Sequence, residues 1–115
     1  MEDERVVFED ITGHPQDMVS TVLRKISAYS RSDRARWFKI GITSNPVQRF
    51  RQGYADDYDK MIVVYRSSSI NNVSELECEL IEHNRELADN IISGGGGNYG
   101  NPPYYLYVVL KYFRQ

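Results

Sequence analysis

The most regular helical pattern in the chain carries a carboxylate inside its apolar stripe. Between residues 73 and 88, apolar side chains recur at the three- and four-residue spacing of one helix face. Glu77 lies four residues after Val73 and three before Leu80, so a helix places it on that face. A carboxylate taken out of water costs several kcal/mol unless a cation, a metal or hydrogen-bond donors compensate it. We therefore predict that Glu77 is buried for a partner or a function.

Length and composition favour one small intracellular domain. The chain has 115 residues, of which 41% are hydrophobic, and this fits a single domain over residues 1–115 with a modest core. Cys78 is the only cysteine, which excludes an intrachain disulfide and suits a reducing compartment. There is no signal-peptide pattern, and the longest apolar run, residues 104–110, is too short to cross a membrane. We expect a cytoplasmic protein without a membrane partner.

Basic residues are concentrated in one part of an acidic chain. The net charge is −2, which argues against non-specific binding to nucleic acid. Residues 24–51 nevertheless hold eight basic side chains against Asp33 alone. Folding turns this block either into a basic face for phosphates or into a mixed surface, because sequence blocks are not spatial patches. The eight residues are Arg24, Lys25, Arg31, Arg34, Arg36, Lys39, Arg49 and Arg51.

Hydrophobic periodicity predicts strands and helices in alternation. Strands are predicted at residues 5–9, 37–43, 61–65 and 104–111, and helices at about 15–30, 46–52 and 73–88. Asn45 is a predicted N-cap before the first-turn Pro46, and Asn72 or Ser74 is predicted to cap the last helix. The four glycines at 94–97 predict an irregular loop. The pattern predicts an α+β fold, with a small, mainly antiparallel sheet of three or four strands flanked by helices.

Two arginines flank the apolar face of the predicted short helix. Val47, Phe50 and Tyr54 share that face, with Arg49 on one side of it and Arg51 on the other. Arg49 lies in the first turn, where backbone N–H groups and a guanidinium can meet a phosphate together. The alternative is that both arginines are solvated surface cations.

Residues 38–51 read Phe-Lys-Ile-Gly-Ile-Thr-Ser-Asn-Pro-Val-Gln-Arg-Phe-Arg. This segment resembles the second half of the signature of the GIY-YIG endonuclease family, including its phage-type relatives. In that family a strand ending in Tyr-Ile/Val-Gly leads through a turn to a short helix, whose arginine follows the tyrosine by ten residues. Arg49 holds that position here. The resemblance covers about residues 37–100 and leaves residues 1–35 as an N-terminal extension.

Two later features of the chain follow the same family order. The family places a glutamate on a later helix and Leu-Ile three and four residues on, as Glu77 precedes Leu80 and Ile81. A subset has an asparagine just before a glycine-rich loop, and Asn90 precedes the glycine run here.

The resemblance implies metal-dependent hydrolysis of DNA phosphodiester bonds. Glu77 would bind one divalent cation, Mg²⁺ or Mn²⁺, and Arg49 would stabilise charge on the phosphate. A hard cation prefers carboxylate oxygen, and both groups would act on negative charge developing at phosphorus. The expected substrate-binding residues are Arg36, Arg51 and Asn90.

The chain departs from the family pattern at two places. Lys39 stands where the motif has its second tyrosine, so Lys39 is a candidate phosphate ligand or general base. No Gly-Ile-Tyr strand precedes Phe38. We expect the C-terminal strand to pack in that strand's place and to bring Tyr105 or Tyr107 to the site, with Tyr107 as the catalytic candidate.

Three functions stay open at this point. The first is a divalent-metal-dependent endonuclease, which the order of Arg49, Glu77 and Asn90 favours. The second is a catalytically inactive module with the same scaffold that binds nucleic acid, a nucleotide or a host protein, which the acidic net charge and the missing motif tyrosines favour. The third is a structural domain in which Glu77 pairs with an arginine in the core.

Overall fold

A mixed sheet with helices on both faces forms the centre of the computed structural model. The structure describes residues 2–9, 11–83, 92–93 and 100–113. The strands are β1 (Val6–Phe8), β2 (Ala35–Thr43), β3 (Lys60–Ser67), β4 (Ile92–Ser93) and β5 (Tyr104–Tyr112). The helices are α1 (Pro15–Ser32), α2 (Pro46–Gly53) and α3 (Ile70–His83). None of these helices is long and apolar enough to cross a membrane.

The last strand of the chain is the middle strand of the sheet. In the described part of the chain five strands lie in the order β1-β3-β5-β2-β4. β5 is antiparallel to both β2 and β3, whereas β1 and β4 are parallel to their neighbours β3 and β2. The α+β class is confirmed, but the sheet is mixed and has one strand more than predicted. The additional strand is β4, whose two residues are too few to show a period-two pattern.

The sheet buries a hydrophobic cluster on each face. Successive strand residues point to opposite sides, so neighbours such as Tyr107 and Val108 belong to different clusters. One cluster is covered by α1 and α3, and we call this side the α1–α3 face. It contains Val22, Ile26, Val73, Leu76 and Leu80 from the helices and Ile40, Ile42, Ile62, Val64, Leu106, Val108 and Leu110 from the strands.

The opposite side of the sheet is covered by α2, and we call it the α2 face. Phe50 of α2 and Tyr54 just after it pack there on strand residues of β1, β3 and β5. These strand residues are Val6, Met61, Val63, Tyr107 and Val109. The two faces therefore receive helices that come from different parts of the chain.

The turn into α2 has the predicted capping residues. Asn45 Oδ1 accepts a hydrogen bond from the backbone N–H of Gln48 at 3.2 Å, and Pro46 is the first helical residue. The helix ends at Gly53, one residue later than predicted, and Tyr54 follows as its C-cap. The cap fixes where the helix starts on the sheet, and with it the position of Arg49.

The helix that carries Glu77 begins earlier than predicted. α3 starts at Ile70, and Ser69 Oγ accepts a hydrogen bond from the backbone N–H of Asn72 at 3.2 Å. Ser69 is therefore the capping residue, and the predicted caps Asn72 and Ser74 lie inside the helix. The predicted helical residues 84–88, Asn90 and the glycine run 94–97 lie outside the described residues.

Candidate functional site

Arg49 and Tyr107 meet on the α2 face. β5 pairs with β2 so that Tyr107 lies opposite Gly41, and the C-terminal strand therefore lies beside the strand that carries Lys39. That it takes the place of a Gly-Ile-Tyr strand stays a prediction. Arg49 Nε donates a hydrogen bond to Tyr107 Oη at 3.3 Å. Tyr107 is one of the two tyrosines that were expected near this point.

Tyr54 completes a hydrogen-bonded triangle with Arg49 and Tyr107. Arg49 Nη2 donates to Tyr54 Oη at 3.3 Å, and the two tyrosine hydroxyls lie 2.8 Å apart. The guanidinium carbon of Arg49 is 4.9 Å from the centroid of the Tyr54 ring. The sequence predicts Tyr54 only as part of an apolar helix face. The sequence feature that could have identified Tyr54 as a site residue is its hydroxyl group, because a buried tyrosine hydroxyl usually has a hydrogen-bond partner.

Two glycines make room for these side chains. A Cβ atom at Gly41 would lie 2.4 Å from Tyr107 Oη, and one at Gly53 would lie 3.1 Å from Arg49 Nη1. The first distance is shorter than any tolerable contact, so the Tyr107 ring can lie over Gly41 only because that residue has no side chain.

Lys39 is a second cation beside Tyr54. Its Nζ lies 5.8 Å from the centroid of the Tyr54 ring and 5.7 Å from that of Tyr58, and these two rings are in edge contact. Within the described residues, no aspartate or glutamate forms an ion pair with Lys39. Aromatic faces attract cations, so Tyr54 holds both Lys39 and Arg49 on this face.

Burial sets the protonation state beneath the two cations. Tyr107 is fully buried, and this burial, together with the hydrogen bond to Tyr54, raises the pKa of Tyr107 above its usual value. The hydrogen bond to Tyr107 raises the pKa of the Arg49 guanidinium. At neutral pH the site is therefore a charged guanidinium supported by a neutral phenol.

Arg36 extends the cationic surface along β2. It is exposed and lies between Ala35 and Trp37, which pack on the α1–α3 face, so Arg36 lies on the α2 face. The irregularity between Trp37 and Lys39 shifts the alternation, and Lys39 therefore shares this face. Arg51 is exposed on α2, and its Nε is 3.8 Å from an Asp3 carboxylate oxygen.

The basic segment as a whole is divided between the two faces of the sheet. Arg36, Lys39, Arg49 and Arg51 belong to β2 and α2, whereas the other four lie on α1 and in the turn after it. These four are Arg24, Lys25, Arg31 and Arg34. A single basic face that contains all eight residues is therefore not formed, and the cationic surface relevant to the site is the β2–α2 group.

Glu77 lies on α3, which covers the α1–α3 face of the sheet. It is 9% exposed on the stripe of α3 that carries Val73 and Leu80, and this confirms the predicted burial. Because α3 covers the face opposite to α2, the structure brings Lys39, Arg49 and Tyr107 together but places Glu77 in a different layer. In the described ranges, no three His, Cys, Asp or Glu residues are grouped to hold a metal ion.

Comparison with protein-family models, curated proteins and solved structures finds no match to this chain. The fold and the site define an α+β domain with a tyrosine-supported cationic site on its α2 face. The GIY-YIG resemblance stays a prediction.

Proposed function

We propose that this protein is a divalent-metal-dependent endonuclease that hydrolyses DNA phosphodiester bonds, with the phosphate bound by Arg49 and Lys39. The observation that supports this is the guanidinium of Arg49, which two tyrosine hydroxyls hold in one orientation next to Lys39. A guanidinium offers paired donors that match phosphate oxygens. Cations held in place before the reaction stabilise the developing negative charge without a cost of reorganisation.

Tyr107 and Tyr54 act as positioning residues in this proposal. Each hydroxyl oxygen accepts a hydrogen bond from a different nitrogen of Arg49, which fixes the rotation of the guanidinium. The raised pKa of Tyr107 keeps its phenol neutral, and a buried neutral phenol is a poor general base at neutral pH. In this proposal Tyr107, the catalytic candidate from the sequence, thus supports Arg49.

Glu77 is the residue that would hold the divalent cation. Magnesium in phosphate-processing sites is bound through one or two carboxylates together with substrate phosphates and water, so a single carboxylate fits in chemical type. When bound, such a cation would supply positive charge that stabilises the negative charge developing on the phosphate.

A catalytically inactive module that binds nucleic acid is the second candidate. The location of Glu77 and Arg49 in different layers favours it. Binding needs only the cations and rings of the α2 face, because phosphate contacts and stacking give affinity without chemistry.

The test measures cleavage and binding with the full chain. Duplex and single-stranded DNA are incubated with Mg²⁺ or Mn²⁺, with and without chelator, for the wild type, Arg49→Ala and Glu77→Gln. The matched controls are Arg24→Ala and Glu75→Gln, which change exposed residues of α1 and α3. We expect chelator-sensitive cleavage that is about 10²–10³-fold slower in Arg49→Ala, since one transition-state donor has that effect. Glu77→Gln should abolish cleavage, and the controls should not change it.

The outcomes separate the two candidates. Cleavage at the wild-type rate in Glu77→Gln contradicts the role of Glu77 as metal ligand. DNA binding without cleavage that Arg49→Ala weakens and chelator does not affect favours the binding module. If the wild type neither cleaves nor binds DNA, both candidates are wrong.

A further inference from the structure

A groove of about 770 Å³ lies beside the start of α2. This volume falls within the range of sites that bind small molecules, about 300–1,000 Å³. Its walls come from β1, from residues 44–52 and from β5. The chemically distinctive lining residues are two aromatic rings, three side-chain amides and one cation, namely Phe8, Tyr105, Asn45, Gln48, Gln52 and Arg51.

Phe8 and Tyr105 form a stacking surface at this groove. Their ring centroids are 6.1 Å apart and their planes are 85° apart, which is an edge-to-face pair. Phe8 is 45% exposed, and Tyr105 is half-buried against the cluster under α2. Because Tyr105 holds the Phe8 ring from the side, an aromatic face is available to a ligand without prior rearrangement.

A cationic side chain from α2 lies in the wall of the groove. Of the described residues that line it, Arg51 alone is charged. The Asp3 carboxylate near Arg51 also accepts two hydrogen bonds from the Arg5 guanidinium, at 2.8 and 3.0 Å. The Asp3 carboxylate is therefore shared between the Arg5 and Arg51 guanidinium groups.

An acidic depression adjoins the groove. Phe8 and Val47 also line a second depression, whose other lining residues are Glu2, Asp3, Glu4 and Val6. These carboxylates repel phosphate, and Arg51 is the cation in the wall of the groove that offsets them.

We propose that this groove binds an unpaired nucleobase of the DNA strand whose phosphate is bound at Arg49. The inference rests on the proposed function and names its substrate, a strand with a single-stranded or extruded nucleotide. Aromatic rings stack on bases, side-chain amides pair with the donors and acceptors of base edges, and Arg51 meets the backbone charge.

The groove is close to the Arg49 site. Tyr105 and Tyr107 lie two residues apart on the same face of β5, a separation of about 7 Å from strand geometry. A nucleotide in the groove is therefore a near neighbour of the phosphate at Arg49.

The test compares two labelled duplexes that differ at one position, an unpaired adenine or an abasic residue. Fluorescence anisotropy gives the affinity of the full chain for each duplex. We expect the wild type to bind the adenine duplex about 5- to 150-fold more tightly, the range expected from one stacked base. Phe8→Ala and the surface variant Gln52→Ala should reduce this ratio and keep the affinity for the abasic duplex. The control Phe113→Ala changes another exposed aromatic residue, 61% exposed, and should keep the ratio.

Each outcome bears on either the groove or the proposed function. Equal affinity for the two duplexes, with binding that still depends on Arg49, overturns the groove proposal and leaves the proposed function intact. Saturable binding of adenosine that Phe8→Ala abolishes, without Arg49-dependent DNA binding, supports the groove as a nucleobase site and contradicts the proposed function. Equal duplex affinities together with Phe8-dependent binding of an aromatic peptide assign the groove to a peptide and overturn the proposal.

Discussion

A methyl group at Gly41 would lie 2.4 Å from the hydroxyl oxygen of Tyr107, so these neighbours on β2 and β5 fit only because one lacks a side chain. The same hydroxyl accepts the hydrogen bond from Arg49. The packing of two adjacent strands therefore determines where the guanidinium points.

We expect Gly41→Ala to lower the free energy of unfolding by about 1–3 kcal/mol, the usual cost of overpacking a core. The added methyl should displace Tyr107 and weaken DNA binding through Arg49. Urea unfolding and DNA affinity measure the two effects. In a Tyr107→Leu background the stability cost should shrink, because leucine has no hydroxyl at that point. Equal costs in both backgrounds would show that the glycine is not there for Tyr107.

Tyr107→Phe should distinguish the support that the Tyr107 hydroxyl gives to Arg49 from its contribution to the stability of the fold. It leaves the buried ring and removes the hydroxyl that contacts Arg49 and Tyr54, at a cost of about 1–2 kcal/mol. Tyr65→Phe is the matched control, because Tyr65 is also fully buried and its hydroxyl donates to the Gly13 carbonyl on the other side of the sheet. Both variants should lose similar stability, and only Tyr107→Phe should impair DNA binding or cleavage. The expectation fails if Tyr107→Phe and Tyr65→Phe impair DNA binding and cleavage to the same extent.

Acid should destabilise the fold partly through Glu9. The hydrogen bond from Tyr29, and next Lys25 at 3.3 Å, hold the pKa of Glu9 below its ordinary 4.5. A carboxylate with a lower pKa in the folded state stabilises the fold above its unfolded pKa, and this contribution is lost as pH falls through the folded value. Urea unfolding between about pH 6 and about pH 3 should therefore show a steeper loss in the wild type than in Glu9→Gln. Parallel losses would assign the acid sensitivity to other groups.

Asn45→Ala should cost about 0.5–2 kcal/mol, the usual effect of removing an N-cap side chain. The reason is the backbone N–H of Gln48, which loses its acceptor. Asn45→Asp keeps an acceptor at the cap and should retain the stability, as thermal or urea unfolding can measure. An unchanged unfolding free energy in Asn45→Ala would mean that Pro46 alone fixes the start of α2.

The features of this structure that could be predicted from sequence depend on residues that are close together along the chain. The cap at Asn45, the first-turn Pro46 and the buried stripe of Glu77 each depend on residues within a few positions, and the structure confirms them. The start of α3 was missed because three polar residues near it, Ser69, Asn72 and Ser74, are all acceptable caps, and only the folded geometry selects one.

Contacts between distant parts of the chain could not be predicted in the same way. Tyr54 reaches Tyr107 only after α2 has packed on β5, and no local pattern distinguishes that phenol from an ordinary core residue. The groove between Phe8 and Tyr105 likewise exists only because β1 and β5 both pair with β3. The layer occupied by Glu77 was also a question of packing, which helical periodicity alone does not answer.

The central position of β5 has a consequence for the order of events during synthesis. β2 and β3 leave the ribosome before the strand that joins them, so neither can complete its pairing until the chain has extended past Tyr112. Pairing over such sequence separations is slow. A nascent chain that ends before β5 also lacks Tyr107, which supports the Arg49 guanidinium. The cationic site is therefore organised late, and a chain truncated before β5 should show neither a cooperative fold nor Arg49-dependent binding.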